Sequence, residues 1–192
     1  MKVLVACESS GRVREAFRRR GHDAWSNDID DPEDGSPYHL KMDARLALAK
    51  QKWDLLIAHP PCTFICNSGA HWLLRRPGRV DQMREAAAFF MLLWTCDVPR
   101  ICIENPTPTK KAGLPPYHQA IQPWWFGDDA SKRTCLWLKN LPPLRATNPL
   151  VKARYANQTP SGQNNLGPSA ARAKERSRTY PGIANAFAEQ WG

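Results

Sequence analysis

The chain has no apolar run long enough to span a bilayer, which takes about 20 consecutive residues in helical form, so no membrane span is expected. Its opening, MKVLVACESSG, lacks the charged-then-apolar layout of a secretory signal. The six cysteines, at 7, 62, 66, 96, 102 and 135, contain no Cys-x-x-Cys pair and are scattered through apolar segments. That pattern argues against a disulfide framework and against the common zinc modules, so no metal is expected. A reducing, cytoplasmic compartment follows, with thiols free for packing or chemistry. Acidic residues are scarce, 18 against 27 Lys and Arg, for a formal net charge of +9. This excess favours a polyanionic partner, nucleic acid first, over a merely soluble basic surface.

The 192 residues are 42% hydrophobic, enough for the core of one α/β domain spanning 1–192. Lys2 to Ala6 (KVLVA) reads as a buried strand. Gly11 opens a helical pattern with Val13, Ala16 and Phe17 on one face, and Gly21 stops it. A second strand over Ala24 to Ser26 ends in Asn27-Asp28-Ile29-Asp30, and Asp31 to Pro37 is a polar loop. Asp43 caps a short helix, Trp53 to Ala58 is a third strand, and a long helix runs from about Val80 to Thr95. Strands at Pro99 to Ile103 and Thr134 to Leu138 follow, and a helix over Ile183 to Trp191 closes the pattern. Residues 139–175, rich in proline, glycine and basic side chains, read as a flexible region or an irregular lobe. No internal repeat is visible.

Alternating strands and helices predict a parallel, doubly wound sheet, whose ligand site lies beyond the carboxyl ends of its strands. Glu8, Asp28, Cys62 and Glu104 all follow predicted strands, which is the pattern's own argument for an enzyme. Read alone, Cys62 after Pro60-Pro61 is a nucleophile, a metal ligand or a buried thiol.

In order along the chain, ESSG, ND, MD, PPC, ENP, a basic segment and a terminal PGIANAF helix resemble the DNA cytosine-5 methyltransferases, closest to a short, phage-type member. The likeness runs from about Val3 to Leu138 and returns from Ser177 to Trp191. It implies a Rossmann-like, mostly parallel sheet with helices on both faces, and S-adenosyl-L-methionine as cofactor. Its activity would be methylation of cytosine carbon 5 in double-stranded DNA with the base flipped out. Carbon 5 is too poor a nucleophile to be methylated directly, whereas a thiolate added at carbon 6 makes it enamine-like. Cys62 matches the family's nucleophile and Glu104 the carboxyl group at ring nitrogen 3. Arg133, in Lys132-Arg133-Thr134, matches the basic motif that helps hold the cytosine.

By the same resemblance, Ser10, Gly11 and Pro60 border the cofactor, with Glu8 supplying a carboxylate one residue displaced. Asp28 would accept from the ribose hydroxyls, Ile29 would pack on adenine, and Asp43 would meet its amino group or serve only as a helix cap. The mobile loop after Cys62 would bring Arg75, Arg76 and Arg79 to DNA, and Lys110 and Lys111 form a further basic cluster, as do Arg172, Lys174, Arg176 and Arg178. Gln122, Trp124 and Trp125 would line the base path or belong to the core.

The chain departs from the family where larger members carry a target-recognition domain, since only residues 139–176 are available. Specificity is then relaxed, or supplied by a protein partner, or the substrate is RNA or a nucleotide. A catalytically inactive module that binds nucleic acid or cofactor is the reading from another class, prompted by the missing reading domain and by the turn after the first strand, where Arg12, Val13 and Arg14 stand in place of the family's further glycines.

Overall fold

In the computed structural model, residues 1–73, 75–162, 175 and 177–192 are described. Seven strands among them form one sheet: β1 (Lys2–Ala6), β2 (Asp23–Asp28), β3 (His39–Lys41), β4 (Leu55–Ala58), β5 (Arg100–Asn105), β6 (Gln119–Ile121) and β7 (Thr134–Lys139). Their order is β3-β2-β1-β4-β5-β7-β6. The pairs β3–β2, β2–β1, β1–β4 and β4–β5 are parallel, whereas β7 runs antiparallel to both β5 and β6.

The central strands are apolar without interruption because both of their faces are covered. Val3, Val5, Leu55, Ile57 and Cys102 point to one side, where α1 (Arg12–Arg18) and α4 (Pro181–Trp191) bring Val13, Phe17, Ile183, Phe187 and Trp191. Leu4, Ala6, Leu56, Ala58, Ile101 and Ile103 point to the other, under α2 (Ala44–Ala49) and α3 (Arg79–Thr95), which contribute Ala44, Ala47, Met83, Phe90 and Leu93. This is the Rossmann-like, mostly parallel sheet with helices on both faces that the sequence led us to expect. The order reverses between β1 and β4, and ligands of such sheets bind in the crevice at that switch, beyond the strands' carboxyl ends.

Two strands were not legible in the sequence. β3 and β6 have three residues each, of mixed polarity, too few to show a period, and they exist by pairing with β2 and β7. Trp53 precedes β4 rather than starting it, its indole donating to the Ala47 carbonyl at 3.0 Å.

The described part of the 139–176 segment is irregular but anchored. Gln119 exchanges two hydrogen bonds of 2.8 Å with the Leu144 backbone. Leu150 N–H donates to the Trp124 carbonyl at 2.8 Å, and Tyr155 stacks on Trp124 with ring centroids 5.8 Å apart. Trp124 and Trp125 thus anchor the lobe, Trp125 packing against the core. Residues 163–174 and 176, with Arg172, Lys174 and Arg176, lie outside the described residues. Among the described residues no helix is long and apolar enough to cross a membrane.

Candidate active site

β4 hands the chain to His59-Pro60-Pro61-Cys62. His59 N–H still joins the sheet, donating to the Ala6 carbonyl at 2.9 Å. The prolines, which have no N–H, end the ladder there. A tight turn follows, in which Cys66 N–H donates to the Cys62 carbonyl at 3.0 Å, and a 3₁₀ turn over Asn67–Trp72 begins just after it. On the adjacent strand, β5 ends in Glu104-Asn105. The Asn105 amide donates to the Pro60 carbonyl at 3.0 Å, tying the two strand ends together. Thr109 N–H to the Ile65 carbonyl, at 2.8 Å, and Asn67 N–H to the Thr107 carbonyl, at 3.0 Å, tie the loops beyond them.

Glu104 is buried at the centre of this arrangement. Its Oε2 lies 2.7 Å from His59 Nδ1, and both side chains are 8% exposed. Burial alone would raise the Glu104 pKa. The Lys132 charge, the His59 contact and a hydrogen bond from Thr134 outweigh that and hold it at about 2, so Glu104 is a carboxylate at neutral pH. Among the described residues His59 Nε2 is buried with no hydrogen-bond partner, as is Asn105 Oδ1.

Cys62 is half-buried and Cys66 buried, and their thiols hydrogen-bond to each other. The pair carries one proton unequally. Cys66 is shifted down by the hydrogen bond from Cys62, and further by Ser68 Oγ at 3.0 Å and the N–H groups of Ser68 and Gly69. Cys62 is shifted up by the same bond, by burial, and by the negative charges of Cys66 and Glu104, against which Lys132 acts. Replacing Cys66 with serine is expected to abolish the component of the protein's ultraviolet thiolate absorbance that titrates below the ordinary thiol range. An unchanged titration curve would place the thiolate elsewhere.

Lys132 and Arg133 arrive here because β7 is antiparallel: its first residues stand beside the last of β5, with Asn105 opposite Cys135 and Glu104 opposite Leu136. Arg133 is exposed and donates to the Tyr117 hydroxyl at 2.9 Å. Together with Cys66, Ser68, Thr107 and Lys132 it lines a cavity of ≈ 280 Å³.

Of the residues expected at the cofactor, Asp28 and Asp43 come together beside Cys7, whose thiol is pushed up to about 12 by burial and by these two carboxylates. Ile29, next along, is 72% exposed. Asp43 also caps α2, accepting from Arg45 N–H at 2.8 Å. Glu8 faces inward. Its carboxylate accepts from Val13 N–H at 2.7 Å and Arg14 N–H at 3.3 Å, so it caps α1 from within the turn. Ser10 and Gly11 line a second cavity, of ≈ 340 Å³, with Arg12, Arg19, Asp34 and Pro181 between α1 and α4. Pro60 is buried, its carbonyl held by Asn105.

Among the basic residues, Arg75, Arg76, Lys110 and Lys111 are exposed, Arg76 lying over the Trp72 ring. Arg79 is buried, donates to the Thr63 carbonyl at 2.7 Å and lies against the Phe64 ring. It braces the loop after Cys62 and does not present its charge to a partner. Arg178 is paired with Glu33 and Glu175. Among the described residues no group of three His, Cys, Asp or Glu side chains is arranged to hold a metal ion. Neither the contact of His59 with Glu104 nor the pairing of Cys66 with Cys62 was expected from the sequence, whose signal for both residues was their nearness to Cys62.

The site thus brings a half-buried thiol, four residues beyond β4, near a buried carboxylate close to the end of β5, at the carboxyl edge of a Rossmann-like sheet. No family model matches the chain, and no curated protein matches it. Among solved structures, a protein described as a DNA modification methyltransferase encoded within an Escherichia coli prophage is 15% identical, with a TM-score of 0.48 over 72% of this chain and 46% of that one. The methyltransferase EhMeth of Entamoeba histolytica is 14% identical, with a TM-score of 0.46 over 78% and 57%. An rRNA methylase from Escherichia coli is 17% identical, with a TM-score of 0.38 over 71% and 55%. The chain spans about half the length of each of these proteins, and the match is one of backbone course.

Proposed function

We propose that the protein transfers a methyl group from S-adenosyl-L-methionine to carbon 5 of a cytosine in DNA, through a covalent Cys62 adduct. The observation that carries this reading is the placement of Cys62 in the turn beyond β4 and Glu104 near the end of the adjacent parallel β5, the two joined by the Asn105–Pro60 hydrogen bond, with Glu104 acting electrostatically on Cys62. One planar base can meet both groups there. Cys62 passes its proton to the Cys66 thiolate and adds to carbon 6, and the Glu104 carboxylate holds the edge of the ring that carries nitrogen 3. Lys132 supplies the positive charge beside them, and Arg133 would hold the cytosine from the cavity it shares with Lys132 and Cys66. A base stacked in a duplex cannot be reached by a thiol at carbon 6, so it must be turned out of the stack.

The residues at the ends of β1 and β2 fit the cofactor. An exposed apolar Ile29 stands beside the Asp28 carboxylate, a surface for adenine next to an acceptor for ribose hydroxyls, and Asp43 is a second acceptor within the same group. When bound, S-adenosyl-L-methionine supplies a methyl group on a sulfonium, which the activated carbon 5 can take. Arg75, Arg76, Lys110 and Lys111 are exposed cations for phosphates, and binding that uses them should weaken steeply with salt. The single-domain reading and a partner that supplies specificity belong to the same proposal, because residues 140–162 form no helix or strand and bury only Leu144.

The test is intact mass of the protein after incubation with cofactor and DNA containing 5-fluorocytosine. Fluorine at carbon 5 does not leave as a proton does, so the adduct is trapped. A covalent species with wild type, absent in Cys62→Ala, is expected. An adduct with RNA but not DNA would move the substrate to RNA, and turnover retained in Cys62→Ala would overturn the mechanism. Cofactor binding without any adduct would favour the inactive binding module.

A further inference from the structure

The proposed reaction leaves one proton unaccounted for. As Cys62 adds to carbon 6, the ring gains an electron pair and nitrogen 3 becomes basic. Glu104, the group facing nitrogen 3 in that reading, is held as a carboxylate and has no proton of its own to give. His59 is in direct hydrogen-bond contact with it, Nδ1 to Oε2 at 2.7 Å, inside a pocket that exposes only 8% of either side chain. Its other ring nitrogen, Nε2, is buried with no partner among the described residues. An amide at this position would hold Glu104 equally well, but it could not give up the proton it holds.

We propose that His59 is the proton-holding and positioning residue of Glu104: as Cys62 bonds to carbon 6, the His59 Nδ1 proton passes through the Glu104 carboxylate to ring nitrogen 3. The inference rests on the cytosine reading above. Before the step His59 is an imidazolium, Glu104 a carboxylate, and Cys62 a thiolate whose proton has gone to Cys66. After it a sulfur–carbon 6 bond exists, the former carbon 5–carbon 6 pair is delocalised in an enamine, and nitrogen 3 bears the proton. His59 is then neutral, Glu104 is again a carboxylate, and the total charge is unchanged. The charged groups that meet His59 are Glu104 from β5 and Glu8 from the turn after β1, whose carboxylate feels the His59 charge, while Lys132 from the segment before β7 acts on Glu104.

The test compares wild type with His59→Gln, which keeps a donor toward Glu104 but no transferable proton, by the rate of adduct formation on 5-fluorocytosine DNA across pH. If the step draws a proton from the His59–Glu104 pair, the wild-type rate falls on the alkaline side. His59→Gln should be slower by on the order of 10²-fold or more, without that alkaline limb and with cofactor binding unchanged. A His59→Gln variant that matches wild type in rate and pH profile would overturn the proposal. Should the variant fail to fold, the ¹⁵N resonances of the wild-type imidazole decide. Both ring nitrogens protonated at neutral pH supports the role, and a neutral ring overturns it. Absence of any wild-type adduct would be a failure of the methyl-transfer reading, and the imidazole resonances would still judge His59 as the proton holder.

Discussion

Replacing Glu104 with glutamine is expected to slow covalent adduct formation by on the order of 10²–10⁴-fold, the usual worth of a positioned acid or base. The substitution keeps size and one acceptor oxygen, so the Asn105–Pro60 tie and the β5–β7 ladder stay in place. It removes the charge that Lys132 and His59 converge on, and an amide cannot relay a proton to ring nitrogen 3. Single-turnover rates on fluorocytosine DNA measure the loss, and a variant within a few-fold of wild type would remove Glu104 from the chemistry. The same substitution has a signature in acid. The Glu104 pKa is depressed on folding, from the ordinary 4.5 to about 2. Its ionisation therefore stabilises the fold fully above the ordinary value, and that contribution is lost as pH falls toward about 2. Between those limits wild type should lose stability more steeply than Glu104→Gln, as read from urea midpoints at each pH.

Truncating Trp137 to alanine is expected to cost about 3–5 kcal/mol of stability, the range for deleting a buried aromatic ring. Trp137 is fully buried on β7. It meets Phe90 of α3 edge-on with ring centroids 4.9 Å apart, meets Tyr117 at 6.0 Å, and donates its indole N–H to the Pro115 carbonyl at 2.7 Å. Alanine would leave a cavity between sheet and helix and a carbonyl without its donor. A lower urea midpoint with an unchanged slope would show the loss. Trp137→Phe, which keeps most of the ring contact, should recover much of it. A cost below about 1 kcal/mol would mean that the site collapses around the missing ring.

Much of the fold could be read from local pattern. β1, β4, β5 and β7 are apolar runs of strand length. Gly11 opens α1 with a left-handed φ of 68°, and Asp43 caps α2 as its residue type promised. β3 and β6 were missed because three residues carry no period. The site was legible in part. PPC and ENP stood out because prolines and polar residues interrupt apolar strands, and the doubly wound pattern puts those interruptions at one edge. What individual side chains do there was less legible. Glu8 followed β1 as a cofactor carboxylate should, yet its oxygens are taken by the first N–H groups of α1. Arg79 was one basic residue in a basic loop, and only its burial against Thr63 and Phe64 sets it apart from Arg75 and Arg76.

The sequence by itself determined the alternation of strands and helices, the two-sided burial of the sheet, and the edge at which Cys62 and Glu104 emerge, because hydrophobic period and proline are local signals. Tertiary structure alone decided that β7 runs antiparallel and delivers Lys132 and Thr134 to Glu104, that His59 turns its ring onto that carboxylate, and that Cys66 hydrogen-bonds to Cys62. Strand direction and side-chain rotamer are set by partners that the chain brings together from far along its length, His59 and Glu104 being 45 residues apart, and no local pattern records them.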